Sequence, residues 1–105
     1  MNRKTRKILE SARANIQRGW CQHAEARTAD GMSVGAGSKD AASYCIVGSV
    51  WAVTLDQQDR FFAFAELEKS LPAYAHSRVL SFFNDAPSTT RRKVLALFNR
   101  ALASE

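Results

Sequence analysis

Apolar and polar positions fall with helical spacing from close to the start of this chain. Between Lys4 and Arg18, Ile8, Leu9, Ala12 and Ile16 lie within an arc of about 100°, opposite Arg3, Lys4, Arg6, Lys7, Arg13 and Arg18. This predicts a first amphipathic helix over 4–18. Gly19 is expected to end it in the left-handed conformation, with Trp20 folding back onto the last turn. The stretch from Ala41 to Val53 has thirteen residues and no charge, with Asp40 before it and Asp56 after. On a helix its apolar residues go all the way round, the pattern of a helix buried on every side. Ala41, Cys45, Gly48 and Ala52 line one face and leave room for a neighbouring backbone, which explains a glycine in mid-helix. Tyr, Ile and Val also favour strands, but the run is long and shows no alternation. Ser38 or Asp40 is expected to cap this helix.

A third helix is predicted over 57–70, capped by Asp56, with Phe61, Phe64, Ala65, Leu67 and Leu71 on one face. Glu68 falls inside that face and Phe62 points away from it. After Pro72, a short fourth helix over 73–83 is expected to turn Val79, Leu80 and Phe83 inward. Asn84-Asp85-Ala86-Pro87 reads as a turn. Ser88 or Thr89 then caps a last helix over 90–103, which buries Val94, Leu95, Leu97, Phe98, Ala101 and Leu102. The remaining stretch, 21–38, reads as a long loop with a turn at Asp30-Gly31 and a short helical turn at 24–29. The expected fold class is all-α: a compact single domain over 1–105, about five helices packed around a buried central helix at 41–53.

A chain of 105 residues with 46% apolar and 24% charged residues is of a size and composition to form one globular core. No apolar run approaches the ~20 residues needed to cross a bilayer. No signal-peptide core follows the basic N-terminus, so a cytoplasmic protein without membrane contact is expected. The net charge of +5 permits an acidic partner.

Cys21, His23, Cys45 and His76 are all the cysteines and histidines of the chain. Two thiolates and two imidazoles would make a tetrahedral zinc set, but their spacing lacks the close knuckles of structural sites, and no metal or other cofactor is expected. A cysteine nucleophile could be drawn with His23 or His76 as base, oriented by Asn84 or Asp85. Burial in the apolar stretch disfavours the Cys45 thiolate, and a helix C-terminus disfavours that of Cys21. Catalysis is therefore not expected, and the pairing of Cys21 with Cys45 stays open. Asn84 and Asp85 are read as satisfying local backbone donors. The residues suited to phosphate are Arg3, Lys4, Arg6, Lys7, Arg13, Arg91, Arg92 and Lys93, on the basic faces of the first and last helices. Three cations at the start of the last helix also oppose its dipole, which calls for an acidic group in the fold or in a partner.

A set of landmarks follows one order: Gly19-Trp20-Cys21, Asp30-Gly31, Ala42-Ser43-Tyr44-Cys45-Ile46-Val47-Gly48, Phe83-Asn84-Asp85-Ala86-Pro87 and Val94 to Ala101. Together they resemble a family of small uncharacterised bacterial and phage-associated proteins carrying a domain of unknown function. Phe83 stands where that family often has Trp. The resemblance implies a small, mostly helical fold, in which Gly19, Trp20, Cys21, Tyr44, Cys45, Gly48, Asn84 and Asp85 are structural motif residues. It carries over no activity. The expected function is that of a non-catalytic interaction or accessory module, with a protein partner or a second copy of itself. The alternative is a nucleic-acid-binding module.

Overall fold

Asn2 opens the first helix, its side chain accepting the Thr5 N–H at 2.8 Å. This helix, α1, spans Arg3–Arg18, and Ile8, Leu9, Ala12 and Ile16 are buried along it as their spacing predicted. The computed structural model describes residues 1–104. After α1 come three two-residue strands, β1 (Ala26–Arg27), β2 (Ser33–Val34) and β3 (Ser43–Tyr44). Four helices follow: α2 (Ile46–Trp51), α3 (Gln57–Lys69), α4 (Leu80–Asp85) and α5 (Arg91–Ala103). Among the described residues no helix is long and apolar enough to cross a membrane.

The all-α expectation is corrected here. The stretch read as a loop folds into a three-stranded antiparallel sheet in the order β2-β1-β3, with Ala26 opposite both Val34 and Tyr44. The helical turn expected at 24–29 is instead the central strand. The Asp30-Gly31 turn does form: Gly31 takes φ +92°, and Thr28 N–H reaches the Met32 carbonyl at 2.8 Å to close the hairpin.

The helix expected over 41–53 shrinks to the six residues of α2, and Cys45, rather than Ser38 or Asp40, is its N-cap. Long-range backbone bonding overrides local pattern here. Ala42 N–H goes to Arg27 O, Tyr44 N–H to Gly19 O and Cys45 N–H to Glu25 O, at 2.7, 3.0 and 3.2 Å. A helix beginning at 41 would break this ladder and leave carbonyls of two neighbouring segments unpaired. Nor is this stretch the centre of the fold. That place belongs to α1, which packs against α5, α2, α3 and β3. Its Leu9, Ala12 and Ile16 are fully buried in one core with Ile46, Val50, Leu67, Val94 and Phe98.

Gly19 does not adopt the left-handed conformation expected of it; its φ is −179°, extended backbone open to any residue. Its lack of a side chain serves close approach, since a Cβ there would lie 2.3 Å from Ala42 O. Trp20 continues into a parallel bridge with Tyr44. Gly48 is small for the same reason, since a Cβ would meet Glu25 O at 2.0 Å. The small face read from the sequence is therefore real at this position, although the element that uses it is short.

Helix α3 keeps its predicted span and its Asp56 cap, which accepts the Asp59 N–H at 2.9 Å. Its buried residues narrow to Ala63 and Leu67, with Leu71 buried just beyond its end; Phe61 is 65% exposed and Glu68 is exposed, so Glu68 needs no buried partner. Phe62 points outward as expected and is 43% exposed, in edge-to-face contact with Phe61. The fourth helix, expected over 73–83, begins at Leu80. Ser77 Oγ takes the Val79 N–H at 3.0 Å and holds Val79 extended and exposed, so only Leu80 and Phe83 turn inward as expected. The cap of α5 is Thr90, not Ser88 or Thr89, and the Thr89 hydroxyl instead donates to Phe83 O at 2.7 Å.

Replacing Gly48 by Ala should destabilise the protein by about 2–3 kcal/mol, because the obstructing atom is main chain and cannot move aside. The same change at Gly37, where nothing lies within 4 Å of an added Cβ, should stay within about 0.5 kcal/mol. Urea unfolding of the two variants against the parent checks the contrast.

Candidate functional site

Asn84 is fully buried, and three segments distant in sequence meet at its side chain. Its Oδ1 accepts the Trp20 indole N–H at 2.8 Å and the Ile46 N–H at 3.1 Å. Its Nδ2 donates to Cys21 O at 3.1 Å and to Asp85 Oδ1 at 2.9 Å. All four hydrogen-bonding positions of the amide are thus used. The turn expected at Asn84-Asp85 is the last turn of α4, and Asn84 serves remote donors rather than local ones. Gly19-Trp20-Cys21, Tyr44-Cys45 with Gly48, and Asn84-Asp85 therefore form one junction.

Two residues of this junction gave no signal in the sequence. Gln22 clamps the end of α4, donating from Nε2 to Asn84 O and Ala86 O, both at 3.0 Å. Glu25 accepts the Ala36 N–H on Oε2 at 2.6 Å, and its carbonyl faces Gly48 and the Cys45 N–H. Neither belongs to a periodic pattern, and only the adjacency of Gln22 to Gly19-Trp20-Cys21 pointed at all.

Asp85 also holds His23. Its Oδ1 accepts the His23 N–H at 2.9 Å, and its Oδ2 lies 3.8 Å from His23 Nδ1. His23 takes φ +64°, a left-handed conformation that costs a non-glycine residue energy and that this contact offsets. Beside it lies a cleft of about 300 Å³ lined by Ala24, Glu25, Cys45, Val47, Trp51, Ser81, Asn84 and Asp85.

Cys45 is at the helix N-cap rather than inside the helix, and its Sγ accepts the Gly48 N–H at 3.2 Å. Burial nevertheless pushes its pKa up, against the pull of the Gly48 and Val47 N–H groups. Cys21 is pushed up too, by burial first, with a hydrogen bond from Ser43 opposing it. Both thiols are free and protonated at neutral pH, a state unsuited to nucleophilic attack. His76 lies elsewhere, in the wall of another pocket with Tyr74 and Phe82. No group of three or more His, Cys, Asp or Glu among the described residues is placed to hold a metal ion.

The basic residues gather on a separate surface. Helices α1 and α5 run antiparallel, and arginines cross the seam between them. Arg6 donates to Leu102 O at 3.0 Å, Arg13 to Asn99 Oδ1 at 2.9 Å and Arg91 to Gln17 O at 3.2 Å. Lys93 reaches Ser88 O at 2.9 Å. Lys4 departs from the set, held by Asp59 at 3.0 Å, whose hydrogen bond and charge raise the lysine pKa. Arg3, Lys7 and Arg92 stand exposed.

Asn84→Ala should cost about 3–5 kcal/mol, since it strands the Trp20 and Ile46 donors and the Cys21 carbonyl in a buried site. Thermal or urea unfolding measures it, and a loss under 1 kcal/mol would contradict the junction's role. The thiols make a pH prediction. Both bind their protons more tightly in the folded than in the unfolded chain, so stability should fall as pH rises above about 9, where only the unfolded thiols ionise freely. Unfolding midpoints at neutral and alkaline pH test this, and the fall should shrink in Cys45→Ser, which keeps a cap acceptor.

No curated protein and no solved structure matches the chain. The family described as "Family of unknown function (DUF6197)" matches residues 1–104, and the chain belongs to that family.

Proposed function

We propose that this protein is a non-catalytic binding module whose α1/α5 face takes the phosphate backbone of nucleic acid. The observation that carries this reading is charge segregation. Ten of the fifteen lysines and arginines lie on α1 and α5, whereas Glu10 is the only acidic residue of these two helices. Between Gly19 and Thr90 the balance reverses, with eight acids against five bases. The net charge of +5 is therefore contributed by these two helices rather than spread evenly along the chain.

The seam arginines Arg13 and Arg91 bond to an amide and a carbonyl oxygen, which orients each guanidinium without cancelling its charge. A guanidinium has five N–H donors, and one such bond leaves others for a phosphate. Arg91, Arg92 and Lys93 occupy the first turn of α5, which has no acidic residue. Cations there repel the positive end of the helix dipole, and a phosphate beside them would relieve that repulsion. The raised thiol pKa values support the non-catalytic part of the reading.

Binding of mixed DNA and RNA should be micromolar at low salt and weaken on the order of 100-fold between about 50 and 200 mM salt, as expected for some five phosphate contacts. Arg3→Glu, Lys7→Glu and Arg92→Glu together should abolish it in a protein that still unfolds cooperatively, because these side chains are exposed. Absence of binding at low salt would overturn the reading and turn attention to a protein contact through the exposed Leu55, Phe61 and Phe62.

A further inference from the structure

We infer that the nucleic acid bound is single-stranded, with an unpaired base stacked in an aromatic pocket at the start of α5. This rests on the phosphate-binding reading of α1 and α5. The pocket, of about 270 Å³, is walled by Tyr74, Phe82 and Phe83, with His76, Ser77 and Ser88 at its polar edge. Phe83 belongs to the core, but Tyr74 and Phe82 do not: they are 59% and 66% exposed. Two aromatic rings left in water around a concavity offer π-faces to a flat ring, and base–aromatic stacking is the commonest way proteins hold unpaired bases.

The pocket is continuous with the basic surface. Ser88 and Thr89 line it, and the α5 cap Thr90 follows them directly. Lys93 joins the two, its Nζ 5.6 Å from the Tyr74 ring centroid and 2.9 Å from Ser88 O. On the other side of the cap, Thr90, Arg91 and Arg92 line a shallow groove along α5 with Leu95, Ala96 and Asn99. A strand with its phosphates at Arg91 and Arg92 would bring a neighbouring base to the Tyr74 and Phe82 rings. A base paired in a duplex is stacked on both faces and cannot enter such a pocket without being flipped out. The polar edge is sparse, and the Thr89 hydroxyl is already spent on Phe83 O, so stacking rather than hydrogen bonding dominates and little sequence preference is expected.

The test compares a single-stranded oligonucleotide with the duplex of the same sequence at low salt, for the parent, Tyr74→Ala, Phe82→Ala and Tyr74→Phe. The parent should bind the single strand more tightly. Each alanine variant should lose about tenfold for the single strand and nothing for the duplex, while Tyr74→Phe keeps its ring and its affinity. Both alanine positions are exposed, so unchanged unfolding midpoints are expected alongside. Equal or tighter duplex binding, or alanine variants that bind the single strand as the parent does, would overturn the inference and leave the phosphate-binding face standing. Full displacement of the strand by a free mononucleotide would likewise overturn it, assigning the pocket to a small nucleotide. No binding of either form would remove both readings.

Discussion

The Asn84 carboxamide is the constraint on which the middle of this molecule depends. A buried amide with all four positions satisfied stabilises a fold modestly, but one deprived of partners is costly, so the arrangement enforces geometry more than it adds stability. Here the enforcement is severe. The indole of Trp20, the first N–H of α2 and the carbonyl of Cys21 must all arrive at one side chain at the end of α4. The chain at Trp20 and Cys21 and the start of α2 are positioned by that requirement, while the neighbouring Asp85 holds the left-handed His23. The helices around α1 could pack by apolar burial alone, whereas the segment from 19 to 51 has little core of its own and relies on polar geometry.

That division explains what could be read from the sequence. Helices α1, α3 and α5 are long enough for a 3.6-residue period to show, and their caps at Asp56 and near Thr90 carry local chemistry. The apolar residues of α1 and α5 pointed where the structure turns them. Strands of two residues have no period, so β1, β2 and β3 were invisible, and α2 borrowed the apolar residues of β3 to look like a longer helix. Tyr44 and Cys45 follow the bonds offered by Gly19, Cys21 and Glu25, partners about 20 residues away that no window of local pattern contains. Phe61 failed for a different reason: an aromatic residue counts as apolar in any pattern, but the face of α3 that meets the core is made by Ala63 and Leu67 with Phe64 packed beside them, and Phe61 lies outside it.

The motif residues were legible as a set before their purpose was. Gly19, Trp20, Cys21, Tyr44, Cys45, Gly48, Asn84 and Asp85 converge on one junction, and most of their polar atoms are consumed in holding it together. The basic helices and the aromatic pocket lie elsewhere, at the α1/α5 pair and the start of α5. Lys4 shows that charge alone was not a sufficient guide, because Asp59 takes it out of a set to which its spacing had assigned it.

The two close-packed glycines bear on how such a chain can change over generations. Most tight contacts in a core are between side chains, and a larger residue at one position can be accommodated by a smaller one opposite. Gly19 and Gly48 face the carbonyl oxygens of Ala42 and Glu25, atoms that every amino acid carries. No replacement at 42 or 25 can make room for a methyl group, so these positions have no compensating partner. Drift elsewhere in the junction can proceed in coupled pairs; at these two points it has no second step to take.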